Sequence, residues 1–242
     1  MTGRTARPRA VLLAGDSTVA AMPAGETPMT GWGPHLGGPR SVRGTERRRA
    51  RGLSAAIVPG LNVAKGGATT ESHRDEWLWD ALLLASQPGD VVVIQFGHND
   101  SRRPHLAARE GYRTNLRRMV EEARGHGLVP VLCTPVQRRH FDGDRLTDVH
   151  GDYPDAVRDL ATELDVPCID LTHLTTLLFE EAGPDASRAY MTHVEAGANP
   201  LYPDGMADET HFAFEGGLRV AALVAEALAP IVDEPLPGDP HD

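Results

Sequence analysis

The stretch Ala10-Val11-Leu12-Leu13-Ala14-Gly15-Asp16-Ser17-Thr18 determines how the rest of the chain is interpreted. Its apolar half predicts a buried strand of a parallel sheet, and Gly15-Asp16-Ser17 marks the point where the chain must turn. Ser17 is thereby predicted on the rim of a sheet, beyond the carboxyl end of a strand, where open α/β sheets bind ligands. Taken alone, a serine here is more often a helix N-cap, so a chemical role depends on three later stretches.

The composition favours one large α/β domain. The chain has 242 residues, 40% hydrophobic and 24% charged, which is enough for a substantial core. The formal net charge of −10 argues against nucleic acid or an anionic membrane as partner, because both require a basic face. We expect a single domain over residues 1–242, with a core of about residues 9–230 and a Pro-rich tail over 231–242.

The amino terminus and the apolar runs indicate where in the cell the protein is expected. The apolar run after the basic amino terminus is shorter than the roughly 7–15 residues of a secretory signal, and it leads straight into Gly15-Asp16-Ser17. No apolar stretch approaches the roughly 20 residues that span a bilayer. We therefore expect a cytoplasmic protein.

Two further strand ends carry groups suited to binding an anion. After the predicted strand 55–64, Gly66-Gly67 allows backbone N–H groups to approach a ligand, and a predicted helix over 71–85 adds its positive end. The plainer interpretation of the glycine pair is a tight turn. After the predicted strand 91–95, the amide of Asn99 can donate to an oxyanion, with an Asx-turn as the competing interpretation.

The fourth stretch is Asp208-Glu209-Thr210-His211, which follows a predicted loop of about twenty-five residues over 183–207. A loop of that length is usually a functional lid or disordered. An acid three residues before an imidazole can bond one ring nitrogen and fix the tautomer while the other nitrogen faces the rim. With Ser17 opposite, the three side chains would form a nucleophile, a base and an orienting acid.

The remaining pattern describes repeated strand–helix units without a cofactor motif. Helices are predicted over 109–125, 153–164, 172–182 and 215–229, and strands over 128–133 and 166–169. The chain contains no Gly-x-Gly-x-x-Gly, no phosphate-binding Gly-rich loop followed by Lys-Ser/Thr, and no His-Glu-x-x-His. We therefore expect no cofactor and no metal. Cys133 and Cys168 are predicted to be buried thiols that fill the core.

Several other residues are candidate contacts for a substrate. Trp32 either lines the cleft or plugs the core beneath a loop, two interpretations of about equal weight. The arginines between Arg40 and Arg51 are interpreted as a solvated surface. The tentative substrate contacts are Asp16, Trp32, His98, Arg138 and His193. Basic residues of the loops expected at the catalytic edge could hold carboxylates, although ordinary surface salt bridges explain them about as well: Arg102, Arg103, His105, Arg138, Arg139 and His140.

In this order and on this scaffold, the motifs resemble the SGNH, or GDSL-like, hydrolase superfamily, and within it most closely the rhamnogalacturonan acetylesterases. The resemblance covers almost the whole chain and rests on these stretches: Gly15-Asp16-Ser17-Thr18, Gly31-Trp32-Gly33, Asn62-x-Ala64-x-x-Gly67, Gly97-His98-Asn99-Asp100 and Asp208-x-Thr210-His211. The chain departs from that pattern in an arginine-rich insertion before the second strand, in Ala-Thr-Thr after Gly67, and in the lack of a leader. These departures leave the reaction intact.

The resemblance implies a flavodoxin-like three-layer α/β/α fold with a five-stranded parallel sheet, and ester hydrolysis without a metal. It implies Ser17 as nucleophile with Asp208 and His211, and an oxyanion hole formed by the N–H groups of Ser17 and Gly67 with the Asn99 side chain. The substrate it suggests is an acetylated carbohydrate, specifically pectin-derived rhamnogalacturonan. From the expected lack of a leader, we expect the fragments to be deacetylated inside the cell.

Three alternatives remain at this point. One is a carbohydrate acetylesterase of broader specificity. Another is a lipase or thioesterase of the same superfamily, which the aromatic content of 5% makes less attractive. The third is a sugar-binding module without activity, against which the complete set of candidate catalytic residues argues. The oligomeric state cannot be inferred from the sequence.

Overall fold

The structure is a computed structural model that describes residues 9–22, 28–37 and 57–233. Nine strands lie within these residues: β1 (Ala10–Gly15), β2 (Val58–Asn62), β3 (Val91–Gln95), β4 (Val129–Cys133), β5 (Phe141–Asp142), β6 (Arg145–Leu146), β7 (Cys168–Ile169), β8 (Met191–Val194) and β9 (Met206–Phe212). The α-helices in the same residues are α1 (Ser72–Asp75), α2 (Leu78–Ala85), α3 (Arg113–Gly125), α4 (Tyr153–Leu164), α5 (Leu171–Ala186) and α6 (Phe214–Asp233).

Five strands form a parallel central sheet in the order β2-β1-β3-β4-β7. The chain passes from β1 to β2 on one side and then returns to place β3 on the other side of β1. The carboxyl ends of β1 and β3 therefore flank the point where strand order reverses, which is where open α/β sheets form their ligand crevice. Ser17 follows β1 and Asn99 follows β3, so both lie at this point.

The central strands are almost entirely apolar because they are covered on both faces. In β3, Val92 and Ile94 belong to one core, whereas Val91 and Val93 belong to the other. Side chains of α2, α3 and α4 fill the first core, and those of α5 and α6 fill the second. The three-layer α/β/α architecture with five parallel strands confirms the predicted fold class.

Three elements differ from the sequence prediction. The helix predicted over 71–85 is divided into α1 and α2 by Trp77, whose φ of 62° is left-handed and cannot continue a helix. Helix α5 continues to Ala186 with a break at Gly183, where φ is 76°. The loop predicted over 183–207 contains a 3-10 turn (Ser187–Tyr190) and strand β8, which pairs antiparallel with β9.

Other sequence expectations have mixed outcomes. Cys133 is buried as predicted, whereas Cys168 is exposed, and both are free thiols. The arginines from Arg40 to Arg51 lie outside the described residues, as does most of the Pro-rich tail. No helix in the described ranges is long and apolar enough to cross a membrane.

Candidate active site

A chain of two hydrogen bonds joins Ser17, His211 and Asp208 at the carboxyl edge of the sheet. The Ser17 Oγ lies 2.9 Å from His211 Nε2, and His211 Nδ1 lies 2.7 Å from Asp208 Oδ2. Ser17 and His211 are 194 positions apart along the chain, so the tertiary fold creates their contact. The Asp208 contact assigns the ring proton to Nδ1, which leaves Nε2 free to accept the Ser17 proton.

The Asp208 carboxylate is held in its charged form. Burial alone would raise its pKa, but hydrogen bonds from the His211 ring and from the backbone N–H groups of His211 and Thr210 lower the pKa to about 2. Those backbone bonds to Oδ1 measure 2.8 Å and 2.7 Å. A carboxylate fixed on both oxygens can orient the imidazole and stabilise its cationic form.

Strand β9 carries Asp208 and His211, and its position depends on a contact with the loop after β4. The Arg139 backbone N–H donates to the Glu209 carbonyl (2.9 Å), and Arg139 Nη1 lies 2.9 Å and 2.8 Å from the two Glu209 carboxylate oxygens. At its far end, the Phe212 carbonyl accepts the Thr30 N–H (2.9 Å). The hairpin is thus held at both ends of the stretch that presents His211.

Two of the predicted oxyanion donors, Gly67 and Asn99, meet at the turn after β2. Asn99 Nδ2 donates to the Ala68 carbonyl (3.0 Å), which holds the amide against the Gly67-Ala68 turn and leaves its second N–H without this partner. Within the described residues, the backbone N–H groups of Ser17 and Gly67 donate no hydrogen bond to the protein. Unpaired N–H groups at a rim can bind an oxyanion.

The Gly67 conformation explains why glycine stands at this turn. Its φ is +77°, a left-handed conformation that other residues rarely adopt. A Cβ at this position would meet no atom within 4 Å, so a side chain would project into open space at the rim rather than into the protein. The glycine therefore keeps the turn accessible as well as permitting its backbone geometry.

A second contact beneath this turn was not foreseen from the sequence. The Asp100 Oδ1 accepts hydrogen bonds from the Thr70 N–H (2.9 Å) and the Thr70 hydroxyl (2.6 Å). Burial raises the pKa of Asp100 to about 6, although the bonds from Thr70 oppose the shift. Asp100 was visible in the sequence beside Asn99, but nothing in the pattern indicated its partner.

Three of the tentative substrate contacts are corrected by the structure. Asp16, Trp32 and His98 are exposed by 0%, 0% and 2%, so none can contact a substrate. Trp32 packs in the core, which is one of the two interpretations that the sequence allowed, and its Nε1–H donates to Gln95 Oε1 (2.8 Å). The signal missed in the sequence was Gln95, a polar residue that ends the otherwise apolar strand β3.

The last two tentative contacts differ from each other. Both ring nitrogens of His193 are buried, and its Nε2 lies 3.5 Å from the Glu209 carboxylate, so they cannot contact a ligand in this conformation. Arg138 is half-buried at the rim, where Nη1 donates to the Thr210 hydroxyl (3.0 Å) and Nη2 lies 3.4 Å from the His98 carbonyl. Arg138 thus lies between the Asn99 loop and the Asp208–His211 stretch.

The arrangement is one that hydrolases with a serine nucleophile use: a serine, a histidine in hydrogen-bond reach, and an acid that orients the histidine. No three His, Cys, Asp or Glu side chains converge into a metal-binding group within the described part of the chain. The geometry of Ser17, His211 and Asp208 suits acyl transfer through the protein's own side chains.

Comparison with known proteins gives the same class. Residues 13–216 match the GDSL-like Lipase/Acylhydrolase family. The rhamnogalacturonan acetylesterase RhgT of Bacillus subtilis is 40% identical over 223 residues, which cover 92% of this chain and 90% of that protein. The probable rhamnogalacturonan acetylesterase YesY of the same organism is 28% identical over 222 residues, covering 90% and 91% of the two chains.

A solved structure extends the likeness to the fold. The crystal structure of YxiM from Bacillus subtilis matches with a TM-score of 0.72 and 24% identity, over 93% of this chain and 57% of that one. The chain therefore belongs to the GDSL-like lipase/acylhydrolase, or SGNH, family. It is a carboxylic ester hydrolase.

Proposed function

We propose that this protein is a serine acetylesterase that removes acetyl groups from carbohydrates, with Ser17, His211 and Asp208 as its catalytic triad. The observation that carries the proposal is the continuous hydrogen-bond chain from Ser17 Oγ through the His211 ring to Asp208. The relative RhgT, 40% identical over most of both chains, is a rhamnogalacturonan acetylesterase, which supports an acetyl ester as the group attacked.

The first half of the reaction forms an acyl-enzyme. His211 Nε2 removes the Ser17 hydroxyl proton as Oγ bonds to the acetyl carbonyl carbon, and the carbonyl π electrons move onto oxygen. The resulting oxyanion accepts hydrogen bonds from the N–H groups of Ser17 and Gly67 and from Asn99 Nδ2. Collapse of this intermediate breaks the bond to the sugar oxygen, which leaves as an alcohol with the proton from His211.

The second half returns the enzyme to its starting state. His211 removes a proton from water, and the hydroxide attacks the acetyl carbon while the same donors hold the second oxyanion. The bond to Ser17 Oγ then breaks, His211 returns the proton to Oγ, and acetic acid leaves and loses its remaining proton to water. Asp208 stabilises the imidazolium at both stages and keeps its own charge, in accord with a pKa of about 2.

A comparison of acyl chains tests the reaction. Hydrolysis of p-nitrophenyl acetate should exceed that of the butyrate and octanoate esters, and Ser17→Ala should remove it by a factor of about 10⁴ or more, as losses in other triads do. Rates that rise with chain length would indicate a lipase or thioesterase. Equal activity in a folded Ser17→Ala variant would reject Ser17 as nucleophile.

For the substrate, we propose acetylated oligosaccharides that carry uronic acids, such as rhamnogalacturonan fragments. Arg138 contacts only neutral oxygens, and its pKa is lowered by burial and by the nearby positive charge of Arg102. Neither arginine forms a salt bridge within the described residues, although the charges of Asp16 and Asp208 act on Arg138 in the direction that raises its pKa. Two neighbouring guanidinium groups without carboxylate partners are suited to a carboxylate from a ligand.

The substrate test compares two kinds of acetylated oligosaccharide and two variants. Arg138→Gln should lower kcat/KM for acetylated galacturonate oligomers about 10-fold or more and leave acetylated xylo-oligomers within about twofold, because a charged hydrogen bond is worth about 1.5–3 kcal/mol. Arg188→Gln, an exposed arginine on the 3-10 turn before β8, is the matched control. Equal losses on both substrates would show that Arg138 acts on the protein and not on a uronate.

A further inference from the structure

A buried contact links the two loops that carry Ser17 and Asn99. Asp16 Oδ2 lies 3.1 Å from His98 Nδ1, and the two residues are exposed by only 0% and 2%. Asp16 directly precedes Ser17, and His98 directly precedes Asn99. The contact therefore bridges the carboxyl ends of β1 and β3 at the residues adjoining two of the proposed oxyanion donors.

The neighbours of this pair fix where its protons lie. Asp16 Oδ1 accepts from the Thr18 N–H (2.9 Å) and hydroxyl (2.8 Å). With two hydrogen bonds to Oδ1 and the His98 ring at Oδ2, Asp16 has the contacts of a carboxylate that only accepts, and these interactions lower its pKa against the effect of burial. His98 Nε2 lies 3.0 Å from the Val136 carbonyl, which also only accepts. Both ring nitrogens of His98 thus face acceptor oxygens, and only the imidazolium form can donate from both.

The surrounding side chains support this assignment. Gln95 Nε2 donates to the Thr18 hydroxyl oxygen (2.5 Å), so the hydroxyl proton of Thr18 is directed to Asp16. The His150 ring packs edge-on to His98 at 5.0 Å and its Nε2 also lies 2.9 Å from the Val136 carbonyl. Burial lowers the pKa of His150 to about 3, so this second ring is neutral. It therefore cannot supply a positive charge to Asp16 in place of His98.

We propose that Asp16 and His98 form a buried carboxylate–imidazolium pair that positions the Ser17 N–H and the Asn99 amide relative to each other. This inference rests on the proposed function. Both are positioning residues, because neither touches the substrate. Since oxyanion donors act mainly on charge that appears in the transition state, a small misalignment of the two loops should lower kcat and leave KM nearly unchanged.

Kinetics of single and double variants test the pair. Asp16→Asn and His98→Gln should each lower kcat about 10- to 100-fold, the cost of misplaced reacting groups, with KM within about threefold. The double variant should be no slower than the worse single variant, because either substitution already removes the pair. His150→Gln is the matched control, since it removes an equally buried ring from the same carbonyl, and its kcat should stay within about twofold. Losses that multiply, or an equal loss in His150→Gln, would overturn the proposal.

A spectroscopic measurement on the unaltered protein keeps the proposal testable if a variant does not fold. With ¹⁵N-labelled histidine, the His98 ring should show two protonated nitrogens at pH 7, and a single protonated nitrogen would overturn the proposal. An active Ser17→Ala variant would reject the proposed function and leave the ring measurement valid. An inactive Ser17→Ala variant together with full kcat in Asp16→Asn and His98→Gln would reject the positioning role alone.

Discussion

At the scale of single residues, Asn99 offers a direct test of the oxyanion site. Its Nδ2 is held by the Ala68 carbonyl, so the amide is already oriented before a substrate binds. Asn99→Ala should lower kcat by about 10²–10³ with little change in KM, because the amide acts on charge that develops in the transition state. Steady-state kinetics with p-nitrophenyl acetate measure this, and an effect confined to KM would assign Asn99 to substrate binding.

Asp208 gives a second prediction at the same scale. Asp208→Asn keeps the shape of the side chain but presents an NH₂ group to His211, which favours the wrong ring tautomer and should lower kcat by about 10⁴. The folded pKa of Asp208 is about 2 against 3.8 for the free group, so its contribution to stability is present above pH 3.8 and is lost as pH falls toward 2.

Acid denaturation measures that contribution. The difference in free energy of unfolding between the wild type and Asp208→Asn should shrink as pH falls from 4 to 2. A difference that stays constant through this range would show that the carboxylate is not held by its hydrogen bonds.

At the scale of elements, one ion pair connects the hairpin of β8 and β9 to the loop after β4. The Arg139 side chain, 10% exposed, contacts the Glu209 carboxylate and also donates from Nε to the Ser187 hydroxyl (2.9 Å). Arg139→Met leaves Glu209 half-buried without its cation, and the free energy of unfolding should fall by about 2–3 kcal/mol. Because Glu209 lies next to Asp208, kcat should fall as well.

The matched control for this prediction is an exposed arginine elsewhere. Arg145 is 83% exposed and pairs with Glu180 at 2.9 Å. Arg145→Met should change the free energy of unfolding by no more than about 0.5 kcal/mol, as surface ion pairs usually do. Urea titration of both variants decides the matter, and equal effects would contradict the role given to Arg139.

At the scale of the whole molecule, three buried groups with strongly shifted pKa values contribute most to the pH dependence of stability between pH 6 and 4. Burial lowers the pKa of His73 to about 4 and that of His150 to about 3, so below pH 6.5 the unfolded chain binds two protons that the fold excludes. Asp100 acts in the opposite direction, because burial raises its pKa to about 6 and the fold keeps a proton that the unfolded chain releases above pH 3.8.

Between pH 6 and 4, the unfolded chain therefore binds about one proton more than the folded protein. The free energy of unfolding should therefore fall by about 1.4 kcal/mol per pH unit as pH decreases through that range. His150→Gln should lower this difference by about one proton. The free energy of unfolding should then be nearly independent of pH over this range. Urea titrations at several pH values measure the slope, and an unchanged slope in His150→Gln would contradict the assignment of a neutral, buried ring.

The sequence by itself determined the scaffold and the chemistry that the chain could present. Continuous apolar runs at β1, β3 and β4 predict buried parallel strands because both faces of such strands are covered, and polar residues directly after them mark the rim. Local order also brought Asp208 within three positions of His211, a spacing short enough to predict their contact. These features depend on neighbours in the chain, so they can be predicted from the sequence without knowledge of the tertiary structure.

The tertiary structure decided which polar residues face the rim and which lie beneath it. Asp16 and His98 share motifs with Ser17 and Asn99, yet they are buried, because successive positions in a turn point to different sides. Trp32, in a motif of its own, is buried as well. The pairing of β8 with β9 was likewise invisible, since its strands have no long apolar run. The contacts Asp16–His98, Asp100–Thr70 and Arg139–Glu209 join residues 30 to 82 positions apart, and only packing in three dimensions selects such partners.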